Sequence, residues 1–169
     1  MTSINFENAV SNIGLANDFV ETIMKNLDPL FCGVFPADML ENVRLKNGDS
    51  LIVNLSPHTD PGSHFIAFKV KNNKLYLFDS LKLFSLYNQS IKKFINDQEY
   101  VVIKNKYKIQ SNESLFCGFY VIGFLLSSNF LSMNEFNNFF DLTYLKKNDT
   151  KIQRVVKKLI YMIQSLKQL

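Results

Sequence analysis

Four residues in this chain have the types and order that nucleophilic acyl transfer by a thiol requires. Gln110 to Gly118 reads QSNESLFCG, so Gln110 stands seven residues ahead of Cys117, which opens a long apolar run. Upstream, His64 heads the strand-like segment Ser63-His64-Phe65-Ile66-Ala67-Phe68, and Asp79 closes a second one, Leu75-Tyr76-Leu77-Phe78-Asp79-Ser80. A thiol attacks as thiolate, so Cys117 needs a base or an imidazolium partner, and a helix N-terminus lowers a cysteine's pKa further. His64 is the candidate base. A carboxylate on the far ring nitrogen would fix its tautomer and orientation, which is the role left for Asp79. The tetrahedral intermediate carries an oxyanion, and the Gln110 amide with the Cys117 backbone N–H could supply its donors. Gly118, lacking a Cβ, would let substrate approach the helix start.

Each residue alone also has a plainer reading. A single cysteine before an apolar run is more often a small buried hydrophobe than a nucleophile. His64 could be a half-buried polar residue, and Asp79 a turn former, since Asp and Ser favour strand ends. Order and context shift the balance, because strand starts, strand ends and helix starts are where a sheet-and-helix protein exposes side chains along one edge. His58 is a second candidate base, but it lies beside Pro57 in a loop where ring placement is less controlled. Cys32 reads as a buried residue near the first helix. Two histidines and two distant cysteines offer no metal-ligand spacing, and no Gly-rich phosphate loop is present.

The elements that must carry these residues read as one mixed α/β unit over residues 1–169, with 1–16 a loosely held N-terminal arm. Asp18 is placed to cap a helix through Leu27 with Phe19, Val20, Ile23 and Met24 on one side. Strands are expected at Ser50 to Ser56, His64 to Val70 and Lys74 to Ser80, with Lys71-Asn72-Asn73 as a hairpin turn. The link from Ser56 to Gly62, with Pro57, Asp60 and Pro61, reads as a rigid polar loop before the histidine. A helix over Leu83 to Asp97 and a strand from Tyr100 to Gln110 lead to the glutamine. Cys117 to Phe130 reads as a central helix, apolar and therefore buried on nearly all faces. The chain ends in a helix with Ile152, Val155, Val156, Leu159, Ile160, Ile163 and Leu166 at helical spacing and Lys151, Arg154, Lys157, Lys158 and Lys167 between them.

Composition supports a chain that can bury its own core: 169 residues, 47% of them hydrophobic, need no staples. Two cysteines are too few for a disulfide scaffold. No secretory leader and no membrane-spanning run is recognisable, so a protein of a reducing compartment, not secreted, is expected. The net charge of +4 and the basic face of the last helix raise nucleic-acid binding as a question. A solvated helix face explains them more simply, since 19 basic against 15 acidic residues is a modest excess and no recognition motif appears.

On these residues the chain resembles the adenovirus maturation protease family, the adenains, and more loosely the ubiquitin-like-protein proteases. Leu51-Ile52-Val53-Asn54 followed by Gly62-Ser63-His64 looks like the adenain strand and Gly-x-His motif. Gly33-Val34-Phe35 looks like its Gly-x-Phe segment, and the Gln110 to Cys117 spacing is the adenain spacing. The likeness runs over roughly residues 17 to 130. It implies an α+β cysteine-protease fold of the adenain type, with a central mixed sheet, flanking helices and a buried central helix starting at the nucleophile. It further implies an endopeptidase, His64, Asp79, Gln110 and Cys117 being catalytic, that matures viral capsid or core precursors beside small residues such as glycine.

The virion and the host-cell interior would be its place, protein precursors its partners, and a virophage or related virus-like element one source. No cofactor is required in this reading, although family members suggest activation by DNA or a viral peptide and weak DNA binding. Three departures stand out. Phe65 replaces the tryptophan that commonly follows the family's histidine, Asp79 matches the ubiquitin-like group rather than adenain's glutamate, and Cys32 sits where disulfide-linked peptide activation has no counterpart. The alternatives are a deconjugating protease for a ubiquitin-like modifier, a side-chain acyltransferase, and a catalytically idle binding module.

Overall fold

A computed structural model describes residues 14–166. Its centre is a five-stranded mixed sheet in the order β1-β2-β3-β4-β5, formed by Phe31–Pro36, Ser50–Asn54, Phe65–Lys71, Lys74–Phe78 and Val101–Lys104. The two edge pairings are parallel and the two central ones antiparallel. The α+β class expected from the sequence is therefore present. So are the mixed sheet, the flanking helices and the buried helix that opens at Cys117.

β2 and β3 are buried on both faces, which is why they read as continuous apolar runs. Alternation still assigns the sides. Phe65 and Ala67 of β3 face the core shared with α1 (Asn17–Leu27), α3 (Cys117–Ser127), α4 (Met133–Asn138) and α5 (Leu145–Leu166). Ile66, Phe68 and Val70 face the core shared with α2 (Gln89–Asp97), where Phe68 meets Phe94 edge to face at 5.2 Å. The β3–β4 hairpin closes at Asn72 and Asn73, both with φ near +54°, as a two-residue turn matched to strand twist requires. Asparagine tolerates that left-handed conformation better than most residues.

Every residue of α3 is buried, an outcome of a sequence (CGFYVIGFLLS) with no polar face to offer solvent. At its middle, a Cβ on Gly123 would come within 2.6 Å of Ile152 Cδ1, so the missing side chain is what lets α5 approach so closely. α5 contributes Ile152, Val156 and Ile160 to the core, with Leu159 and Ile163 partly buried, whereas Leu166 is exposed and does not belong to that stripe. Lys167 lies outside the described residues.

The structure departs from the sequence reading in several places. Residues 14 to 16 are not loose: Leu15 is buried against Gly118, while residues 1–13 of the expected arm lie outside the described residues. Gly33-Val34-Phe35 belongs to an edge strand, β1. The first helix has Asp18 inside its first turn and Ala16 at the cap position, without a side-chain cap. The expected helix from Leu83 is broken. A 3₁₀ turn at Phe84–Leu86 comes first, and α2 starts only after Asn88, whose side chain accepts from the Ile91 N–H at 2.9 Å. The expected strand to Gln110 stops at Lys104, because the side chain of Asn105 takes over the bonding of the next strand position. α3 ends at Ser127 rather than Phe130. α4 has no counterpart in the sequence reading, although Ser132 and Glu135 form a complete capping box at its start.

Candidate active site

The end of β4 supplies the carboxylate, and its local structure explains why an aspartate stands there. Asp79 Oδ1 accepts the backbone N–H groups of Leu81 at 2.9 Å and Lys82 at 3.0 Å, and Oδ2 accepts those of Leu83 at 2.7 Å and the Tyr87 hydroxyl at 2.9 Å. The residue organises its own turn in the manner favoured by Asp. Its backbone is paired as well, but with a side chain: Asn105 Oδ1 accepts Asp79 N–H at 2.8 Å and Asn105 Nδ2 donates to Asp79 O at 2.9 Å. That exchange ends the β4–β5 ladder and fixes the carboxylate.

His64, immediately before β3, directs Nε2 at Asp79 Oδ1 at a distance of 2.8 Å. Its ring also lies beside the Cys117 thiol on the same cleft, and that neighbour raises the imidazole pKa, so the imidazole stands between carboxylate and thiol. His64 is 6% and Asp79 0% exposed, which excludes water from this contact. Burial by itself would push the imidazole down. The hydrogen bonds and charges of Asp79 and Cys117 outweigh it and raise the pKa to about 9. For Asp79, burial opposes ionisation, yet the His64 bond, the imidazolium charge, Tyr87 and the turn N–H groups together hold the carboxyl below its ordinary range.

The loop leading to His64 is pinned by Asn54 at the end of β2. Asn54 Oδ1 accepts from Ser56 N–H at 3.1 Å and from Ser63 N–H at 3.2 Å, bridging both ends of the proline-containing link. Its Nδ2 donates to Asn17 Oδ1 at 3.0 Å. Gly62 is required by this arrangement, since a Cβ there would lie 2.4 Å from Asn54 Nδ2. His58 stays apart, exposed and bonded through Nδ1 to Asp38 Oδ2 at 2.6 Å.

Cys117 is the first residue of α3, where a backbone N–H has no intrahelical acceptor and the helix dipole favours negative charge. It lines a cleft of about 460 Å³ together with His64, Gly62, Asn112, Ser114 and Leu115. The chain's own Gly14 to Asn17 form part of the wall. Gly118 therefore serves a different purpose from the one expected: an added Cβ would lie 3.0 Å from Leu15 Cβ, so the small residue admits Leu15 rather than substrate.

The structure brings His64, Asp79 and Cys117 together, with the imidazole bonded to the carboxylate and on the same cleft as the thiol, and sets Gln110 behind them. Gln110 is 1% exposed and is not among the cleft-lining residues. Its Oε1 accepts from Ser80 Oγ at 2.5 Å and its Nε2 donates to Ser114 O at 2.8 Å. An amide nitrogen carries two hydrogens, so one remains beyond the Ser114 bond. Sequence reasoning missed Asn54, Tyr87, Asn105 and Ser114. Their signals are weak, because polar residues at strand ends and in loops are common and the partners lie far away in sequence. Cys32 is exposed and unpaired with Cys117. Partial desolvation, followed by the charge of Asp49, raises its thiol pKa.

Among the described residues no three His, Cys, Asp or Glu side chains gather where they could hold a metal ion, and no helix is long and apolar enough to cross a membrane. No protein-family model and no curated protein sequence matches the chain. Among solved structures it is similar to one described as the SUMO protease Ulp1 with the catalytic cysteine oxidized to a sulfonic acid. The two share 14% identity at a TM-score of 0.47, over 92% of this chain and 81% of that one. Similarity of that degree says nothing about the chemistry of this chain.

Proposed function

We propose that the protein is a cysteine endopeptidase, on one observation above all: a buried imidazole bonded to a carboxylate and sharing a cleft with a thiol at a helix start. With its pKa raised to about 9, His64 stands as imidazolium beside Cys117 at neutral pH, and a thiol reacts as its thiolate. Cys117 Sγ attacks the scissile carbonyl carbon. The oxyanion so formed is stabilised by the Cys117 backbone N–H and the remaining amide hydrogen of Gln110. As the C–N bond breaks, His64 gives its proton to the leaving amine. The neutral imidazole then takes a proton from the water that attacks the thioester, and collapse of the second intermediate expels the thiolate and releases the product acid, leaving His64 as imidazolium beside it. Asp79 orients the ring and stabilises its charge throughout.

Within this class the substrates are assigned as viral capsid or core precursors cleaved beside small residues, in the virion and the host-cell interior. What supports that assignment is the seven-residue Gln110 to Cys117 spacing and the Gly62-Ser63-His64 motif. Weak DNA association along exposed Lys151, Arg154 and Lys158 belongs to the same reading, and its affinity should fall with added salt. The deciding experiment is labelling with a peptide vinyl sulfone ending in glycine, with the modified cysteine mapped by mass. Selective modification of Cys117 that collapses in His64→Ala supports the assignment. Equal, slow modification of Cys32 and Cys117, indifferent to His64, refutes it.

A further inference from the structure

Two consecutive residues of the C-terminal helix hold the segment that runs from Gln110 to Cys117 at both ends. Before the glutamine, Asn148 Nδ2 donates to Ile109 O at 2.8 Å and to Asp141 O at 2.8 Å, while Asn148 Oδ1 accepts from Asp141 N–H at 2.9 Å. Before the cysteine, Asp149 Oδ1 accepts from Ser114 Oγ at 2.8 Å. The same oxygen accepts from the Tyr120 hydroxyl at 3.0 Å, one turn into α3.

Ser114 is where these bonds meet the proposed oxyanion donors. Its carbonyl accepts the Gln110 amide, and its Oγ accepts the Phe116 N–H at 3.2 Å, one residue before Cys117. Asp149 is not among the residues lining the cleft beside Cys117. Whatever it does for the reaction passes through Ser114 and Tyr120. It makes none of the bonds that hold His64 and Asp79, so its influence falls on one half of the site only.

We infer that Asp149 is a positioning residue for the oxyanion side of the site, setting the Gln110 amide and the first N–H groups of α3 through Ser114. The role rests on the acyl-transfer reading above. A loop of polar residues between Gln110 and Cys117 has no sheet or helix to give it a fixed path. A carboxylate on a docked helix, accepting from two hydroxyls, supplies one, and a donor displaced by a fraction of an ångström loses much of its effect on a developing charge.

Two reagents separate the halves of the site. Iodoacetamide alkylates the thiolate by direct displacement and forms no oxyanion, whereas acetylglycine p-nitrophenyl ester acylates the thiol through a tetrahedral oxyanion and releases p-nitrophenolate. In Asp149→Ala, alkylation of Cys117 is expected to stay within about twofold of wild type. Acylation should slow by about tenfold or more, short of the roughly 100- to 1,000-fold that follows direct loss of an oxyanion donor. Asp149→Asn keeps the accepting oxygen and should recover most of the acylation rate. Ser114→Ala removes the bond to Asp149 together with the Phe116 N–H bond and leaves α5 unaltered, should show the same split, and decides the matter if Asp149→Ala does not fold. Alkylation and acylation falling together, or both staying at wild-type rates, overturn the positioning role alone. A wild-type Cys117 that neither alkylates faster than Cys32 nor acylates overturns the catalytic reading and this role with it.

Discussion

Asp79 Oδ1 lies 2.8 Å from His64 Nε2 while the same oxygen accepts the N–H groups of Leu81 and Lys82. The carboxylate is thus locked by its own turn before it meets the histidine, and turn former and histidine partner are one residue in two roles. Asp79→Asn keeps an acceptor oxygen but removes the charge that stabilises imidazolium. His64→Ala should lower kcat/KM by on the order of 10²- to 10⁴-fold, the contribution of a positioned acid and base, and Asp79→Asn by less. Parallel kinetics on a glycine-containing peptide substrate would rank them, and a larger loss in Asp79→Asn would contradict this division of roles.

The pH dependence carries a definite sign. The folded His64 titrates near 9 against an ordinary 6.5, so its ion pair contributes stability that is fully present below about 6.5 and is lost as pH rises through about 9. Asp79 is shifted the other way, and its contribution, present above the ordinary carboxylate pKa of 3.8, is lost as pH falls through its lower folded value. Activity should therefore decline on an alkaline limb near pH 9, and Asp79→Asn should move that limb toward neutrality. A limb that stays in place in the variant would mean that the carboxylate does not set the imidazole's titration.

The two thiols should differ sharply despite their exposure. Cys32 faces solvent but is held protonated by partial desolvation and the charge of Asp49, whereas Cys117 is buried beside an imidazole. At neutral pH substoichiometric iodoacetamide should modify Cys117 first, and Cys32→Ser should leave turnover unchanged. Peptide mapping of the alkylated protein reads the first result directly.

Asn54 holds the loop that delivers His64, so its removal should be felt in both stability and rate. Asn54→Ala strips the acceptor from two backbone N–H groups and should cost about 1 to 3 kcal/mol. Gly62→Ala forces a Cβ to within 2.4 Å of the Asn54 amide and should lower kcat with a smaller effect on global stability. Denaturant titrations paired with kinetics distinguish the two patterns.

Phe78, the residue before Asp79, stacks on Phe124 of α3 at 4.7 Å and meets Phe136 of α4 edge on at 5.5 Å. Its side chain is wholly buried, so Phe78→Ala should cost about 3 to 5 kcal/mol, seen as a lower denaturant midpoint. Phe78→Leu, which keeps most of the volume, should cost much less.

What the chain's sequence determined by itself are features whose causes lie close together along it. An eleven-residue helix with no polar side must be buried, two asparagines between lysine-flanked strands make a tight turn, and His64, Asp79 and Cys117 can be named as a set because acyl transfer needs those types in such contexts. Ser132 and Glu135 were equally legible as a capping box, but their helix is only six residues long and is held by packing. Tertiary structure decided the rest, since the partners are far apart in sequence. Asn105 ends β5 by bonding Asp79, Tyr87 breaks the expected helix to reach the same carboxylate, and Leu15 takes the space beside Gly118. Gln110 is the clearest case. Its spacing from Cys117 is local, but its burial behind Ser114, between the hydroxyl of Ser80 and a loop held by Asp149, depends on three segments converging. Propensity and periodicity act over one turn or one strand, whereas the satisfaction of a buried polar group is settled only when distant backbone arrives to meet it.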